Sequence, residues 1–136
     1  MMADTLDLEV VTPERPRVHE QVSEVQIPGK DGFMGILPGH APLLGQLGSG
    51  FLAYVVRGER RYLAVHGGFL EVLEDHVRVL ADAAERAEEI DVERARTALR
   101  RATEQVLNPG FDPAVALAAL ERAQTRIAMA EQQLPA

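Results

Sequence analysis

Apolar and polar residues alternate through most of the first 80 positions, with the period of two that is typical of half-buried β-strands. Leu6, Leu8 and Val10 begin this pattern, and the turn residues between Thr12 and Pro16 interrupt it. The strand segments recur at intervals of about 8–12 residues, which is typical of small all-β domains. We therefore predict an antiparallel β-sandwich or flattened barrel, with strands at 5–11, 18–27, 33–37, 44–47, 51–56, 61–65, 69–73 and 77–80.

Two details of this pattern predict irregularities in the sheet. Within 18–27 the apolar positions change from even to odd numbers at Ser23–Glu24, which predicts a β-bulge there. The glycine-containing groups 48–50 and 66–68 are expected to separate consecutive strands, because glycine is rare inside regular strands.

Near Asp82 the pattern changes to the period of an α-helix, and alanine, glutamate and arginine dominate. Asp91 is a suitable N-cap for a first helix with apolar residues at 92, 95, 99, 102 and 106. Asn108, Pro109 and Gly110 end that helix, and Asp112 followed by Pro113 begins a second one. A short connection makes two helices antiparallel neighbours. The chain is thus predicted to be α+β, with a β-sandwich over 1–86 and a two-helix hairpin over 87–136. The apolar face of the second helix is predicted at Leu117, Leu120, Ala123, Ile127, Ala130 and Leu134.

Composition excludes several classes of function. The 136 residues include no cysteine, so disulfides, thiolate nucleophiles and cysteine zinc sites are absent. The net charge is −7, and the excess of acids lies in residues 1–90, which hold 15 acids and 8 bases. An acidic chain with 4% aromatic residues is not expected to bind nucleic acid. No apolar run approaches the ~18 residues of a membrane span, and the first residues do not resemble a secretory signal.

Residues 29–44 hold an unusual density of glycine and proline, which favours a shaped, exposed loop over a regular strand. The same stretch is rich in apolar side chains, which water alone does not favour. A rigid, partly apolar loop on a β scaffold usually contacts a partner. We define the partner loop by the residues predicted to make that contact, namely Phe33, Met34, Leu37, Pro38, His40 and Pro42.

His40 is the residue of the chain most typical of an enzyme, since a histidine on a rigid loop can act as a general base. The more economical interpretation is a loop histidine that hydrogen-bonds the backbone or a partner, because no second catalytic residue is near it in sequence. His19, His66 and His76 lack the spacing of metal ligands. The glycines after Pro28 are not a phosphate loop, because neither the Gly-Lys-Ser/Thr ending nor a helix follows them. A small β-sandwich enzyme using His40 is thus the least favoured hypothesis.

Arginines recur along both predicted helices. Arg94 and Arg101 are seven residues apart on the first helix, and Arg122 and Arg126 are four apart on the second. Antiparallel packing is expected to place Arg94 opposite Arg126 and Arg101 near Arg122. Close cations repel one another by on the order of a few kcal/mol when they are partly desolvated. We therefore expect an anion at this edge, or a hairpin that opens.

Several motifs together resemble one known family. They are Val11-Thr-Pro-Glu14, Val25-Gln-Ile-Pro-Gly29, the run from Gly32 to Leu43, Gly67-Gly-Phe-Leu-Glu-Val72, Val79-Leu-Ala-Asp82, Ile90-Asp91 and Arg94-Ala95. With them the chain resembles, over almost its whole length, the epsilon subunit of the F-type, proton-translocating ATP synthase.

The resemblance implies a non-catalytic subunit of the central stalk. Its β-sandwich would bind the gamma subunit and the ring of c subunits and help couple proton-driven rotation to ATP synthesis. Its C-terminal helices would fold against the sandwich, or extend to the alpha/beta catalytic head and restrain ATP hydrolysis. The subunit would be peripheral to the membrane, on the cytoplasmic face of the bacterial inner membrane. At the ring contact, Phe33 implies apolar packing in place of a salt bridge.

In some bacterial members of that family the folded hairpin binds ATP through an Ile-Asp-x-x-Arg-Ala motif and further arginines. Residues 90–95 of this chain match the motif. The resemblance implies no required cofactor but ATP as a regulatory ligand, so that a stand-alone ATP-sensing module is the alternative function. The other interpretation of these arginines is a solvated basic edge, or one that meets acidic surface on the catalytic head. We define the hairpin cluster by the matching positions, Glu85, Asp91, Arg94, Arg101, Arg122 and Arg126.

Overall fold

The structure, a computed structural model, describes residues 4–135. The chain divides into two compact units, one reaching to Ala84 and one starting at Glu85. The first is a β-sandwich and the second is a helical hairpin, and together they confirm the predicted α+β class. The strands are β1 (Leu6–Val11), β2 (Pro16–Val22), β3 (Glu24–Gly29), β4 (Gly32–Ile36), β5 (Leu43–Val56), β6 (Glu59–Leu73) and β7 (His76–Glu85).

The strands lie in the order β2-β1-β7-β6-β5-β3-β4. Strand β1 pairs with β2, β3 with β4 and β5, and β5 with β6, all antiparallel. The pair β1–β7 is parallel, and it joins the first strand of the sheet to the last. The prediction of an antiparallel sandwich is thus correct except for this one parallel pair.

Alternate side chains of the strands point inward and form one apolar core. In β1, for example, Leu6, Leu8 and Val10 are fully buried while the residues between them are half-buried. Tyr54 is the largest of the fully buried side chains. The core consists mostly of leucine, isoleucine and valine, so most of the sandwich's stability comes from the burial of large apolar side chains.

The glycine-containing groups 48–50 and 66–68 do not separate strands, contrary to the prediction. They lie inside β5 and β6, which keep one register from Leu43–Val72 to Val56–Glu59, with Gly48 and Gly67 the one position of that register that is not paired. Glycine is needed there for close approach to neighbouring backbone. A Cβ on Gly68 would lie 2.0 Å from the carbonyl oxygen of Leu80 on the adjacent strand.

The predicted bulge at Ser23–Glu24 is also wrong, although the change of inward face is real. Strand β2 ends at Val22 and β3 begins at Glu24, and the two pair with different strands. The chain therefore leaves β1 and crosses to β5 at Ser23. One segment of sequence forms two strands because each half has its own pairing partner.

The helices begin where their capping residues predict. Helix α1 is Val92–Val106, and Asp91 caps it by accepting a hydrogen bond from the Arg94 backbone N–H. Helix α2 is Pro113–Ala130, and Asp112 accepts from the Ala114 backbone N–H in the same way. A 3-10 turn, Ala87–Glu89, precedes α1 and was not predicted. Neither described helix is both long and apolar enough to cross a membrane.

Helices α1 and α2 pack against each other through alanine. The buried residues include Ala95 and Ala102 on α1 and Ala116 and Ala123 on α2. Leu117, which was predicted to lie on the apolar face of α2, is 48% exposed, because the buried stripe runs one position earlier, through Ala116. Leu134, the last position of that predicted face, lies beyond the end of the helix.

Candidate functional site

The partner loop begins in β4 and continues through residues 37–42 into β5. Phe33 is 67% exposed and Leu37 is 58% exposed, which is unusual for side chains of this size and apolarity. Met34, between them in sequence, packs against the sandwich core. Pro38 and His40 are half-buried, and Pro42 is exposed. The loop therefore exposes an aromatic and an aliphatic side chain from a segment anchored to the core.

Hydrogen bonds hold the loop in one shape. The Gly39 backbone N–H donates to Asp75 Oδ1 over 2.7 Å, and the His40 backbone N–H donates to the Leu37 carbonyl over 3.1 Å. Gly39 has φ of 87°, in the left-handed region that glycine tolerates best. A loop fixed in this way loses little conformational entropy when a partner binds it.

The imidazole of His40 contacts the loop itself. Its Nδ1 lies 2.7 Å from the carbonyl oxygen of Ala41, and because a carbonyl only accepts, Nδ1 carries the proton. Within residues 4–135 there is no group of three histidine or acidic side chains arranged to hold a metal ion.

The exposed apolar surface extends beyond the residues that the sequence singled out as the partner loop. Leu44 is 78% exposed, Phe69 58%, Leu80 50% and Leu73 46%. A signal for part of this surface was present, because Leu70 and Val72 of β6 alternate with Phe69 and Leu73. A strand with large apolar residues on both faces, only one of which is in the core, indicates a partner on the other face.

The hairpin cluster contains one strong ion pair. Arg126 Nε donates to Glu85 Oε1 over 2.7 Å, and both side chains are partly shielded from solvent, with exposed fractions of 31% and 25%. Glu85 precedes the 3-10 turn, which packs against α2, so the pair joins the base of the hairpin to its second helix. One of the four clustered arginines therefore already has an anionic partner.

Asp91 is used as the cap of α1, with its Oδ1 3.1 Å from the Arg94 backbone nitrogen. The side chains of Arg94 and Arg101 are exposed, and that of Arg122 is half-buried. Across residues 4–135, no carboxylate lies within ion-pair distance of these three guanidinium groups. Whether Arg94 lies opposite Arg126, and Arg101 near Arg122, stays a prediction.

Arg96, which the sequence analysis did not single out, joins the two helices. Its Nη1 lies 3.0 Å from Glu93 Oε1, and its Nη2 lies 3.2 Å from Glu131 Oε1. Glu131 directly follows α2 and Arg96 is in the first turns of α1, so this contact also shows that the helices are antiparallel. The i,i+3 spacing to Glu93 was visible in the sequence, but the contact with Glu131 depends on helix packing.

Family models match nearly the whole chain. Residues 5–87 match the model described as the beta-sandwich domain of the ATP synthase delta/epsilon chain. Residues 88–131 match the model of the long alpha-helix domain of the same chain.

Individual relatives agree with these models. The chain is 63% identical over 134 residues to the ATP synthase epsilon chain of Solibacter usitatus, covering 97% of this chain and all of the relative. It is 52% identical over 109 residues to that of Koribacter versatilis, covering 80% of this chain and 77% of the relative.

Among solved structures, a chain in the cryo-EM structure of Euglena gracilis mitochondrial ATP synthase (OSCP/F1/c-ring, rotational state 1) superposes with a TM-score of 0.79. That chain is 26% identical, with 92% of this chain and 81% of the other covered. The sandwich, the capped helical hairpin and these matches agree, and the chain belongs to the family of ATP synthase epsilon chains, components of the F-type ATP synthase.

Proposed function

We propose that the chain is a non-catalytic subunit of the central stalk, bound through its β-sandwich to the gamma subunit and the c ring. The observation that carries this proposal is the exposure of Phe33 and Leu37 on a loop that hydrogen bonds hold in one shape. The Euglena neighbour was solved within an assembly of F1 and c ring, which supports the same placement. The stalk would hold the chain on the cytoplasmic face of a bacterial inner membrane.

The binding part of this proposal is tested by replacing Phe33 with Ser. Loss of a large, exposed apolar contact at the centre of an interface typically weakens binding at least tenfold. Lys30→Ser is the control, because Lys30 lies in the adjacent β3–β4 turn and is also exposed. Assembly of each variant with gamma and c subunits would be measured by copurification and surface plasmon resonance. If Phe33→Ser assembles as well as the wild type, the loop is not the contact.

The second part of the proposal is that the helical hairpin restrains ATP hydrolysis, through contacts with the alpha/beta catalytic head when it is extended. The alanine-rich packing of α1 on α2 supports this part, because such packing is weak enough for the hairpin to rearrange. Deletion of residues 91–136 should therefore raise the hydrolysis rate of the assembled synthase and leave the sandwich folded. An unchanged rate, or an unfolded sandwich, would contradict this.

A second candidate function is ATP sensing by the hairpin cluster. It is favoured by Arg94, Arg101 and Arg122, whose guanidinium groups have no ion-pair partner among the described residues. Phosphate oxygens would supply the missing negative charge, and arginine binds them with charge-assisted hydrogen bonds. Arg126 would have to share its guanidinium between a phosphate and Glu85. On this proposal the hairpin stays folded while ATP is bound and opens when ATP is scarce.

The test is an ATP titration of the full chain, with and without magnesium, followed through the amide signals of α1 and α2. Saturable shifts near Asp91 and Arg122 are expected, and Arg101→Gln should weaken them severalfold. Arg100→Gln is the matched control, since Arg100 is also exposed and, among residues 4–135, its side chain bonds only Thr97 of its own helix. Absence of shifts at millimolar ATP would assign these arginines to the catalytic head or to solvent.

A further inference from the structure

The outer face of the sandwich carries a carboxylate surrounded by apolar side chains. On β6, Phe69, Glu71 and Leu73 point outward, and the residues between them are buried in the core. The β5–β6 register places Leu44 directly opposite Glu71. Neighbours two positions away on a strand and directly across a pair lie within side-chain reach. Glu71 therefore has an exposed apolar side chain on three sides.

The fourth side of Glu71 is set by the turn between β6 and β7. Glu74 and Asp75 both have positive φ, as in a two-residue type I′ hairpin, so Leu73 pairs with His76 and Glu71 faces Arg78. Arg78 is already engaged, because its Nε donates to Glu9 Oε2 on the far side, over 3.2 Å. Within residues 4–135 Glu71 itself has no hydrogen bond or ion pair with another side chain.

The surface beside Glu71 is concave. A hollow of about 390 Å³ is lined by Pro42, Leu43, Leu44, Glu71, Val72 and Leu73. Its walls are apolar except for the Glu71 carboxylate. A protein partner that covers these apolar walls removes water from that carboxylate, and a buried unpaired charge opposes binding strongly. A complex on this face is therefore stabilised when the partner brings a cation to Glu71.

We propose that this hollow is a receptor for one arginine of the partner protein. The guanidinium group pairs with the Glu71 carboxylate, and the aliphatic part of the arginine lies against Leu44 and Leu73. Arginine fits better than lysine, because its guanidinium is less strongly hydrated and can bond both carboxylate oxygens at once. The inference rests on the proposed function in that the partner is the gamma subunit bound to the sandwich. It adds the chemistry of one contact that would determine specificity.

The first test is the affinity of the full chain for the gamma subunit of the same synthase, measured by calorimetry. Glu71→Gln keeps the size of the side chain and removes its charge, and it should weaken binding at least tenfold. Glu59→Gln, an equal change of charge at the exposed first residue of β6, at the other end of the same strand pair, should change the affinity by less than twofold. If Glu71→Gln and the wild type bind the gamma subunit with equal affinity, the proposal of an arginine receptor is wrong.

A second test needs no partner protein. The amide signals of Leu44, Glu71 and Leu73 would be followed while n-butylguanidinium is added, with n-butanol as the neutral comparison. Saturable shifts with the guanidinium alone, reduced at least fivefold in Glu71→Gln, support the receptor. Shifts that are absent, or equal with butanol, overturn it.

The two tests separate the inference from the function on which it rests. If gamma does not bind the wild type but n-butylguanidinium does, the proposed function fails and the hollow still recognises a guanidinium group. If gamma binds the wild type and Glu71→Gln equally well, the sandwich is a stalk component and the arginine receptor fails.

Discussion

The β-sandwich and the helical hairpin bury side chains of very different size. The sandwich core is made of residues such as Leu52, Tyr54 and Leu63, all at most 1% exposed. The hairpin packs chiefly through alanines, including Ala102 and Ala123. Burial contributes about 25 cal/mol per Å² of apolar surface, so a methyl group contributes far less than a leucine side chain. The sandwich is therefore built to keep its shape, and the hairpin to change its packing at a low cost in free energy.

The two units also differ in how their backbone groups are held. The strands of the sandwich are paired by contacts between residues far apart in the chain, while the helices satisfy their own hydrogen bonds and need only local caps. A helix can thus leave its neighbour without losing its backbone hydrogen bonds. A strand in the middle of this sheet cannot leave its neighbours without losing its backbone hydrogen bonds.

The largest expected effect is on the sandwich, from Gly68→Ala. Gly68 has φ of 119°, and a Cβ there would lie 2.0 Å from the Leu80 carbonyl oxygen, so β6 and β7 would have to separate. We expect a loss of roughly 4 kcal/mol or more in the free energy of unfolding. Urea unfolding would be followed by near-UV circular dichroism, which reports on this unit because both tyrosines, Tyr54 and Tyr62, lie in it. Gly35→Ala is the control, since its Cβ would meet no atom of the described part of the chain within 4 Å.

A smaller but still large effect is expected from Leu63→Ala, which leaves a cavity in the sandwich core. Leu63 is fully buried, and such a truncation costs about 2–5 kcal/mol. The same near-UV signal would measure it, while the hydrogen-exchange rates of α1 and α2 should stay unchanged. Loss of protection in the helices would mean that the two units unfold together, and that the hairpin does not change its packing independently of the sandwich.

In the hairpin the corresponding change is Ala123→Gly, with an expected cost of about 1–2 kcal/mol from helix propensity and one lost buried methyl group. Ala118→Gly is the matched control in the same helix, because Ala118 is exposed and loses only the propensity of about 1 kcal/mol. Amide hydrogen exchange of α1 would report the difference. If the two variants behave alike, the alanine contact contributes nothing to holding the helices together.

The smallest expected effect is that of Arg96→Gln, which removes the ion pairs with Glu93 and Glu131. Exposed ion pairs contribute about 0.2–1 kcal/mol and are screened by salt. The exchange rates in the last turn of α2 should rise at low salt, and the effect should shrink at 1 M salt. A salt-independent change would indicate packing by the arginine side chain in place of charge.

Features that depend on a few neighbouring residues were predicted closely. Asp91 and Asp112 mark the starts of α1 and α2 to the residue, because a cap acts on the two or three backbone amides that follow it. The change from period two to the helical period was also predicted correctly, since each segment carries its own pattern. The eight predicted strand segments form seven strands, because 18–27 divides into β2 and β3 while β5 and β6 each contain two predicted segments. The family followed from motifs that span the chain.

Features that depend on pairing between distant segments were not predicted from the sequence. The glycines at 48–50 and 66–68 looked like chain breaks, but they let β5 and β6 approach the neighbouring strands. Ser23 looked like a bulge, but it is the point at which the chain changes partners from β1 to β5. The apolar pattern of one segment carries no information about which other strand pairs with it.

The same division holds for the candidate sites. The partner loop and the arginines of the hairpin were predicted from residue type and spacing, and their roles stay predictions. The pairing of Glu85 with Arg126, and the apolar surroundings of Glu71, come from segments 41 and 27 residues apart that the fold brings together. Periodicity and capping depend on residues that are close together in the sequence, so the sequence alone predicts them. Ion pairs, close approaches and hollows form between strands and helices, and they exist only once those elements have packed.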